Sequence, residues 1–164
     1  MDYFNPHPPT TMHVDINSCF ATIEQQANPL LRGKPVAVAA YVKDYGCILA
    51  ASREAKKLGV KTGMRVREGR ALVPKLIVLA PDPPKYRVVN RQMLAILQSY
   101  TAHISVESID EMVMNLAGTP ALTRKDMTDI AKEIKLRIKQ EIGEWITVSC
   151  GISTNRYLAK VASG

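Results

Sequence analysis

The sequence predicts an α+β fold, a ferredoxin-like β-α-β-β-α-β unit with a small mixed α/β subdomain inserted after its first strand. Three observations lead there. Short runs near both ends of the chain alternate apolar and polar residues at strand spacing. Two long stretches, around 84–101 and 127–142, repeat apolar residues at helical spacing. Pro81, Pro83 and Pro84 form a seam between a stretch rich in Lys and Arg and the C-terminal half of the chain.

Taken in order, residues 1–11 hold Pro6, Pro8 and Pro9 and read as an extended lead-in. Met12 to Ile16 is the first strand. Asn17 or Ser18 can cap a short helix that runs through Ala27 and is stopped by Pro29. This sets the backbone N–H groups of residues 18–20 at a helix N-terminus, an arrangement suited to phosphate. Val36 to Ala40 is a strand, Tyr45-Gly46 a turn, and Cys47 to Ala51 a second strand. Ser52 caps a helix bearing Arg53, Lys56 and Lys57, and Gly59 closes it in a left-handed conformation. A helix over Arg65–Leu72 and a strand over Leu76–Leu79 complete the inserted subdomain, residues 18–83.

Beyond the seam, Tyr86, Val89, Met93, Ile96, Leu97 and Tyr100 line one face of a helix over about 84–101. Ile104-Ser105-Val106 and Met112 to Leu116 read as a hairpin. Thr123 and Asp126 have the spacing of a capping box, followed by a long helix with Met127, Ile130, Ile134, Ile138 and Ile142 on one face and Gly143 at its end. Ile146, Val148, Cys150 and Ile152 alternate as the last strand, and Asn155 opens a final helix holding Lys160.

The chain has 164 residues, with 22 Lys and Arg against 15 Asp and Glu, for a formal net charge of +7. Such a balance favours nucleotides or nucleic acid as partners. Cys19, Cys47 and Cys150 are odd in number and lack metal-ligand spacing, so they read as free thiols in a reducing compartment. No apolar run approaches membrane-spanning length, and a cytoplasmic monomer with no membrane partner is expected.

Chemistry is concentrated at two places. Asp15 ends the first strand, and Asp110-Glu111 opens the third strand of the β-α-β-β-α-β order. In that topology these strands are central neighbours, so the three carboxylates meet. Three hard oxygen ligands on a basic protein suit magnesium and a phosphate-bearing substrate, with Asp15 and Asp110 sharing metals and Glu111 holding the ion that activates a nucleophile. The plainer alternative is a polar hairpin turn at Asp110-Glu111 and a helix cap at Asp15.

Five blocks then stand in one order. They are His13-Val14-Asp15-Ile16-Asn17-Ser18-Cys19-Phe20-Ala21-Thr22-Ile23-Glu24; Gly33-Lys34-Pro35-Val36-Ala37-Val38; Ala51-Ser52-Arg53-Glu54-Ala55-Lys56-Lys57-Leu58-Gly59-Val60; Ser108-Ile109-Asp110-Glu111; and Gly151-Ile152-Ser153 with Asn155, Leu158, Ala159 and Lys160. Together they resemble the N-terminal part of the Y-family translesion DNA polymerases. The resemblance implies a palm over 12–17 and 84–164, fingers over 18–83, and templated addition of deoxynucleotides to a primer 3′ end. It implies two magnesium ions, with manganese as a substitute, held by Asp15, Asp110, Glu111 and the backbone carbonyl of Ile16. Asn17, Ser18, Cys19, Phe20, Ser52, Arg53, Lys56 and Lys160 fall at nucleotide-binding positions, and Phe20 is the steric gate against a ribose 2′-hydroxyl. Without the resemblance, Phe20 would pass as a buried aromatic and Lys160 as a solvated helix lysine.

Two departures accompany the match. Where the family has a Tyr-x-x-Arg pair gripping the triphosphate, this sequence has Arg53 and Lys56, which keeps charge but loses the bidentate fork. The family's thumb and little finger are not in this chain, so palm and fingers alone are expected, with poor processive synthesis. Primer–template DNA and deoxynucleoside triphosphates are the implied partners, with a sliding clamp reached through parts not in this chain. Two alternatives are a nucleotidyl cyclase-like two-metal enzyme and a non-catalytic lesion-bypass accessory. The first wants a Gly-rich hairpin that Ser108–Glu111 lacks, and the second would be expected to lose carboxylates that all stand here.

Overall fold

A computed structural model describes residues 8–163. Of the predicted lead-in over 1–11, residues 1–7 lie outside the described residues, and strand pairing begins at Thr11. The first element is β1 (Thr11–Ile16). Then follow α1 (Cys19–Ala27), β2 (Val36–Ala39), β3 (Ile48–Ala51), α2 (Arg53–Lys57), α3 (Val66–Leu72) and β4 (Ile77–Leu79). The chain continues through α4 (Pro83–Gln98), β5 (Ile104–Val106), β6 (Glu111–Asn115), α5 (Pro120–Arg124), α6 (Met127–Glu141), β7 (Val148–Ser153) and α7 (Arg156–Ser163). Two compact units result, one continuous over Ser18–Val88 and one made from the flanking stretches up to Asn17 and from Val89 onward.

The flanking unit is built on a four-stranded sheet in the order β5-β6-β1-β7, with every neighbouring pair antiparallel. This is the strand order of the ferredoxin-like pattern. Strand alternation divides β1 cleanly. Met12 and Val14 are 0 % exposed and Ile16 is 2 %, and Met112 and Met114 of β6 share their face at 0 %. The helices complete this core, with Met93, Ile96 and Leu97 of α4 and Ile130, Ile134 and Ile138 of α6 all buried. The i, i+3, i+4 spacing seen in the sequence is therefore the buried stripe.

Thr11, His13 and Asp15 occupy the opposite face, and α7 packs there against β1 and β7. Its approach is close enough to require glycine. A Cβ on Gly151 would lie 2.0 Å from the carbonyl oxygen of Ala159 and 2.3 Å from the backbone nitrogen of Ser163. Gly151 stands opposite His13 in the β1–β7 register, so helix backbone rests directly on sheet backbone at this point.

The continuous unit has a three-stranded sheet in the order β3-β2-β4, antiparallel on one side and parallel on the other. Its sheet is lined with alanine and valine. Ala37, Ala39 and Ala51 pack with Ala55, Val60, Val66, Val73 and Leu76, while Ala21, Val38 and Ala50 form a second cluster with Phe20 and Leu79.

Three local expectations are corrected. Ser18 sits at the N-cap of α1 with φ 51 and makes no side-chain cap bond, so backbone geometry and not its hydroxyl starts the helix. Thr123 and Asp126 do not form a capping box. Asp126 itself caps α6 by accepting from the backbone N–H of Asp129 at 2.8 Å, and Thr119 caps the unforeseen short helix α5. Helix α4 ends at Gln98, before Tyr100, and α6 ends at Glu141 with Ile142 as its cap.

Replacing Gly151 with alanine tests the contact under α7. Overpacking of this kind costs about 1–3 kcal/mol, so Gly151→Ala is expected to lower the midpoint of chemical denaturation. An unchanged midpoint would show that α7 does not rest on β7.

Candidate active site

The site is set by the β1–β6 register. Asp15 pairs directly with Glu111, which places both side chains on the α7 side of the sheet. One step further, the Ile16 N–H donates to the Asp110 carbonyl at 3.0 Å, so the ladder runs past the strand into the acidic loop. That loop is held from within, because the backbone N–H groups of Glu107 and Ser108 both donate to the Glu111 carbonyl, at 3.0 and 3.3 Å. Asn90 of α4 holds it from outside, donating to the Ile109 carbonyl at 2.8 Å. The same end of β1 is pinned on its β7 side by Asn17, whose amide donates to the Thr147 hydroxyl at 3.2 Å and accepts from Ser149 at 2.6 Å.

The carboxylates meet different partners. Glu111 lies 3.3 Å from the Lys160 ammonium and 3.6 Å from Nε2 of the buried His13. Asp110 accepts from the Ser108 hydroxyl at 2.7 Å. Asp15 is half-buried, and its charge reaches Cys150, whose thiol is pushed up to about 11, first by burial and then by that carboxylate. The strands are thus adjacent as expected, but among the described residues no three His, Cys, Asp or Glu side chains are gathered as a metal-holding group. In kind, the donors fit a hard divalent cation, being carboxylates and a main-chain carbonyl.

The remaining predicted positions, except Asn17 and Lys160, belong to the continuous unit. Phe20 stacks on Tyr86, with ring centroids 4.4 Å apart and planes 11° from parallel. Tyr86 is 1 % exposed and donates its hydroxyl to the buried Glu24 carboxylate at 3.0 Å. Lys85 also donates to Glu24, at 2.9 Å, and that bond raises the ammonium above its ordinary value. Burial first, then the Glu24 charge, pushes the Tyr86 phenol well up and keeps it a hydrogen-bond donor. Phe20 is therefore braced from behind. Cys19 is buried.

Ser52 is 0 % exposed and its hydroxyl is engaged within the fold. It accepts from the backbone N–H groups of Val36 at 2.9 Å and Ala55 at 3.2 Å, and donates to the Lys34 carbonyl at 3.3 Å. It builds the turn that presents Arg53 and Lys56, which lie on α2, and does not itself face solvent. Charge is unevenly shared between the units. Residues 18–88 carry thirteen Lys and Arg against five Asp and Glu, whereas the rest of the chain carries nine against ten. The entire basic excess lies in the continuous unit.

Several contributors escaped the sequence reading. His13 left one signal, a polar residue inside a strand that is otherwise buried. Tyr86, Glu24 and Asn90 left none, because their partners lie far along the chain.

Comparison with known proteins places these residues in a wider group. Residues 14–164 match the impB/mucB/samB family. The chain is 43% identical over 152 residues to DNA polymerase IV 1 of Bacillus subtilis (strain 168), covering 92% of this chain and 36% of that protein. It is 36% identical to DNA polymerase IV of Ralstonia nicotianae, covering 93% of this chain and 42% of the other. Among solved structures, DinB from Sulfolobus solfataricus is similar at a TM-score of 0.81 and 31% identity, over 92% of this chain and 44% of that one. The insertion ternary complex of Dbh DNA polymerase gives 0.82 at 31% identity, over 92% of this chain and 44% of that one. This chain spans less than half the length of these relatives.

Ser52→Ala removes a helix cap and strands the buried N–H of Val36. Together these are expected to cost about 2–3 kcal/mol, read by urea denaturation. A loss within error of zero would mean that water or another group satisfies both donors.

Proposed function

The chain belongs to the impB/mucB/samB family, the Y-family its sequence blocks resemble, and from that membership we propose that it is the catalytic core of a translesion DNA polymerase. Residues 12–17 and 84–164 are the palm and residues 18–83 the fingers. The substrates are primer–template DNA and deoxynucleoside triphosphates, and the product is a primer longer by one nucleotide with release of pyrophosphate. One observation carries the reading. The β1–β6 register sets Asp15 opposite Glu111, with Asp110 joined to the next residue of β1.

Asp15, Asp110, Glu111 and the Ile16 carbonyl are the residues that would hold magnesium, or manganese in its place. When bound, such ions supply Lewis acidity at the phosphates and lower the pKa of the attacking hydroxyl. The protein's own part is orientation. The paired backbone fixes Asp15 and Glu111 on one face, and Asn90 with the Glu107 and Ser108 amides keeps Asp110 at the strand mouth. Lys160 supplies positive charge for triphosphate oxygens and already balances Glu111. Rigid support of this kind suits phosphoryl transfer, since groups that need no rearrangement cost nothing at the moment of reaction.

Phe20 is the steric gate, and its stacking on Tyr86 gives the ring a fixed wall behind it. Gating by an aromatic ring works only if the ring cannot swing away from an added hydroxyl. Arg53 and Lys56 on α2 bring charge to the triphosphate without a bidentate guanidinium at the second position. The basic excess of Ser18–Val88 suits contact with a polyanion. A cytoplasmic monomer fits this role, and no helix among the described residues is long and apolar enough to cross a membrane.

Calorimetry of a deoxynucleoside triphosphate with magnesium tests the proposal, on the native chain and on Asp110→Ala. Binding is expected to need the metal, to weaken by at least about tenfold in the variant, and to favour the deoxy over the ribo form. Binding that persists without magnesium, or undiminished in Asp110→Ala, would sink it.

A further inference from the structure

Among the described residues, the buried side-chain nitrogen or oxygen that finds no hydrogen-bond partner is Nε2 of His13. The ring is 1 % exposed and lies on β1 two residues before Asp15, on the same face of the sheet. Its other nitrogen, Nδ1, is 2.6 Å from the hydroxyl of Ser163. Nε2 is turned to Oε2 of Glu111 at 3.6 Å, just beyond hydrogen-bond length. An imidazole nitrogen left unpaired in the interior costs free energy, so its retention asks for a reason.

We propose that His13 is a positioning residue for Glu111, a ring clamped at Ser163 that directs the carboxylate toward the cation it is to bind. The inference rests on the reading of Glu111 as a metal ligand. Ligating carboxylates are themselves held by hydrogen bonds from a surrounding shell, and loss of such a partner weakens metal binding. Among the described residues, Lys160 and His13 approach Glu111, and they differ in what they can do. Lys160 is 63 % exposed, on a flexible stem in solvent, and supplies charge without fixing direction. His13 is enclosed by its own sheet and by α7, so its ring defines an angle.

Ser163 decides which ring nitrogen faces the carboxylate as a donor. Its single hydroxyl proton has two acceptors in reach, Nδ1 of His13 at 2.6 Å and the Lys160 carbonyl at 2.8 Å. Given to Nδ1, it leaves the ring proton of a neutral imidazole on Nε2, pointed at Glu111. Given to the carbonyl, it forces Nδ1 to donate and turns a lone pair toward the carboxylate, which repels it. The first arrangement is the one that holds Glu111. Gly151 makes the contact with Ser163 possible at all, because any side chain there would overlap the backbone of Ser163 and Ala159.

The test is manganese binding by calorimetry on the native chain, His13→Phe, His13→Gln and Ser163→Ala. A second measurement, free of metal, is a double-mutant cycle on melting temperature with His13→Phe and Glu111→Gln. Expected are a loss of about 10–100-fold in manganese affinity for His13→Phe, partial recovery in His13→Gln, whose amide can still donate, and a smaller loss in Ser163→Ala. The cycle should be non-additive. Undiminished affinity in a folded His13→Phe overturns the proposal, as does an additive cycle. A native chain that binds no manganese overturns the metal-site reading instead, and the cycle then still decides whether His13 holds Glu111.

Discussion

Strand β1 is paired on both edges and packed on both faces, and this one constraint governs the molecule's chemistry. A strand in that position cannot shift by a single residue. A one-step slip would turn Met12, Val14 and Ile16 out of the core and drive His13 and Asp15 into it, at a cost no local contact could offset. The carboxylates therefore inherit their placement from the apolar residues beside them. Asp15 faces Glu111 because Val14 must face Met112, and the precision of the site is borrowed from the packing of the core.

The two units differ in charge. The carboxylates sit in a unit whose acidic and basic residues nearly cancel, so a cation attracted there answers to local geometry more than to a broad negative field. The excess of Lys and Arg belongs to the other unit, where a field extending to roughly a Debye length of about 8 Å at physiological salt can gather polyanions.

Most of the architecture was legible because it is written in periods. The alternation of Val148, Cys150 and Ile152 and the stripe of Ile130, Ile134 and Ile138 are properties of the chain itself, and the strand order followed from them. The features that could not be read are those set by partners distant in sequence. Nothing in the neighbourhood of Phe20 names Tyr86 as its stacking partner, and Ser52 looks like a ligand-facing serine until Val36 is seen to need its hydroxyl. The Thr123–Asp126 spacing misled because Thr123 lies inside the short helix α5, which Thr119 caps, while Asp126 caps α6 by itself.

The discontinuity of the sheet has a consequence for the nascent chain. Strand β1 is made before its neighbours β6 and β7, which begin at Glu111 and Val148, with the whole Ser18–Val88 unit in between. At ribosomal rates of roughly 5–20 residues per second, β1 waits on the order of ten seconds for its first partner. Over that interval the continuous unit, whose pairings close within its own span, can fold while β1 trails from it with both edges bare. An apolar strand in that state is a template for pairing with other chains. His13 and Asp15 interrupt its hydrophobic run during that wait, which lowers its tendency to pair with other chains.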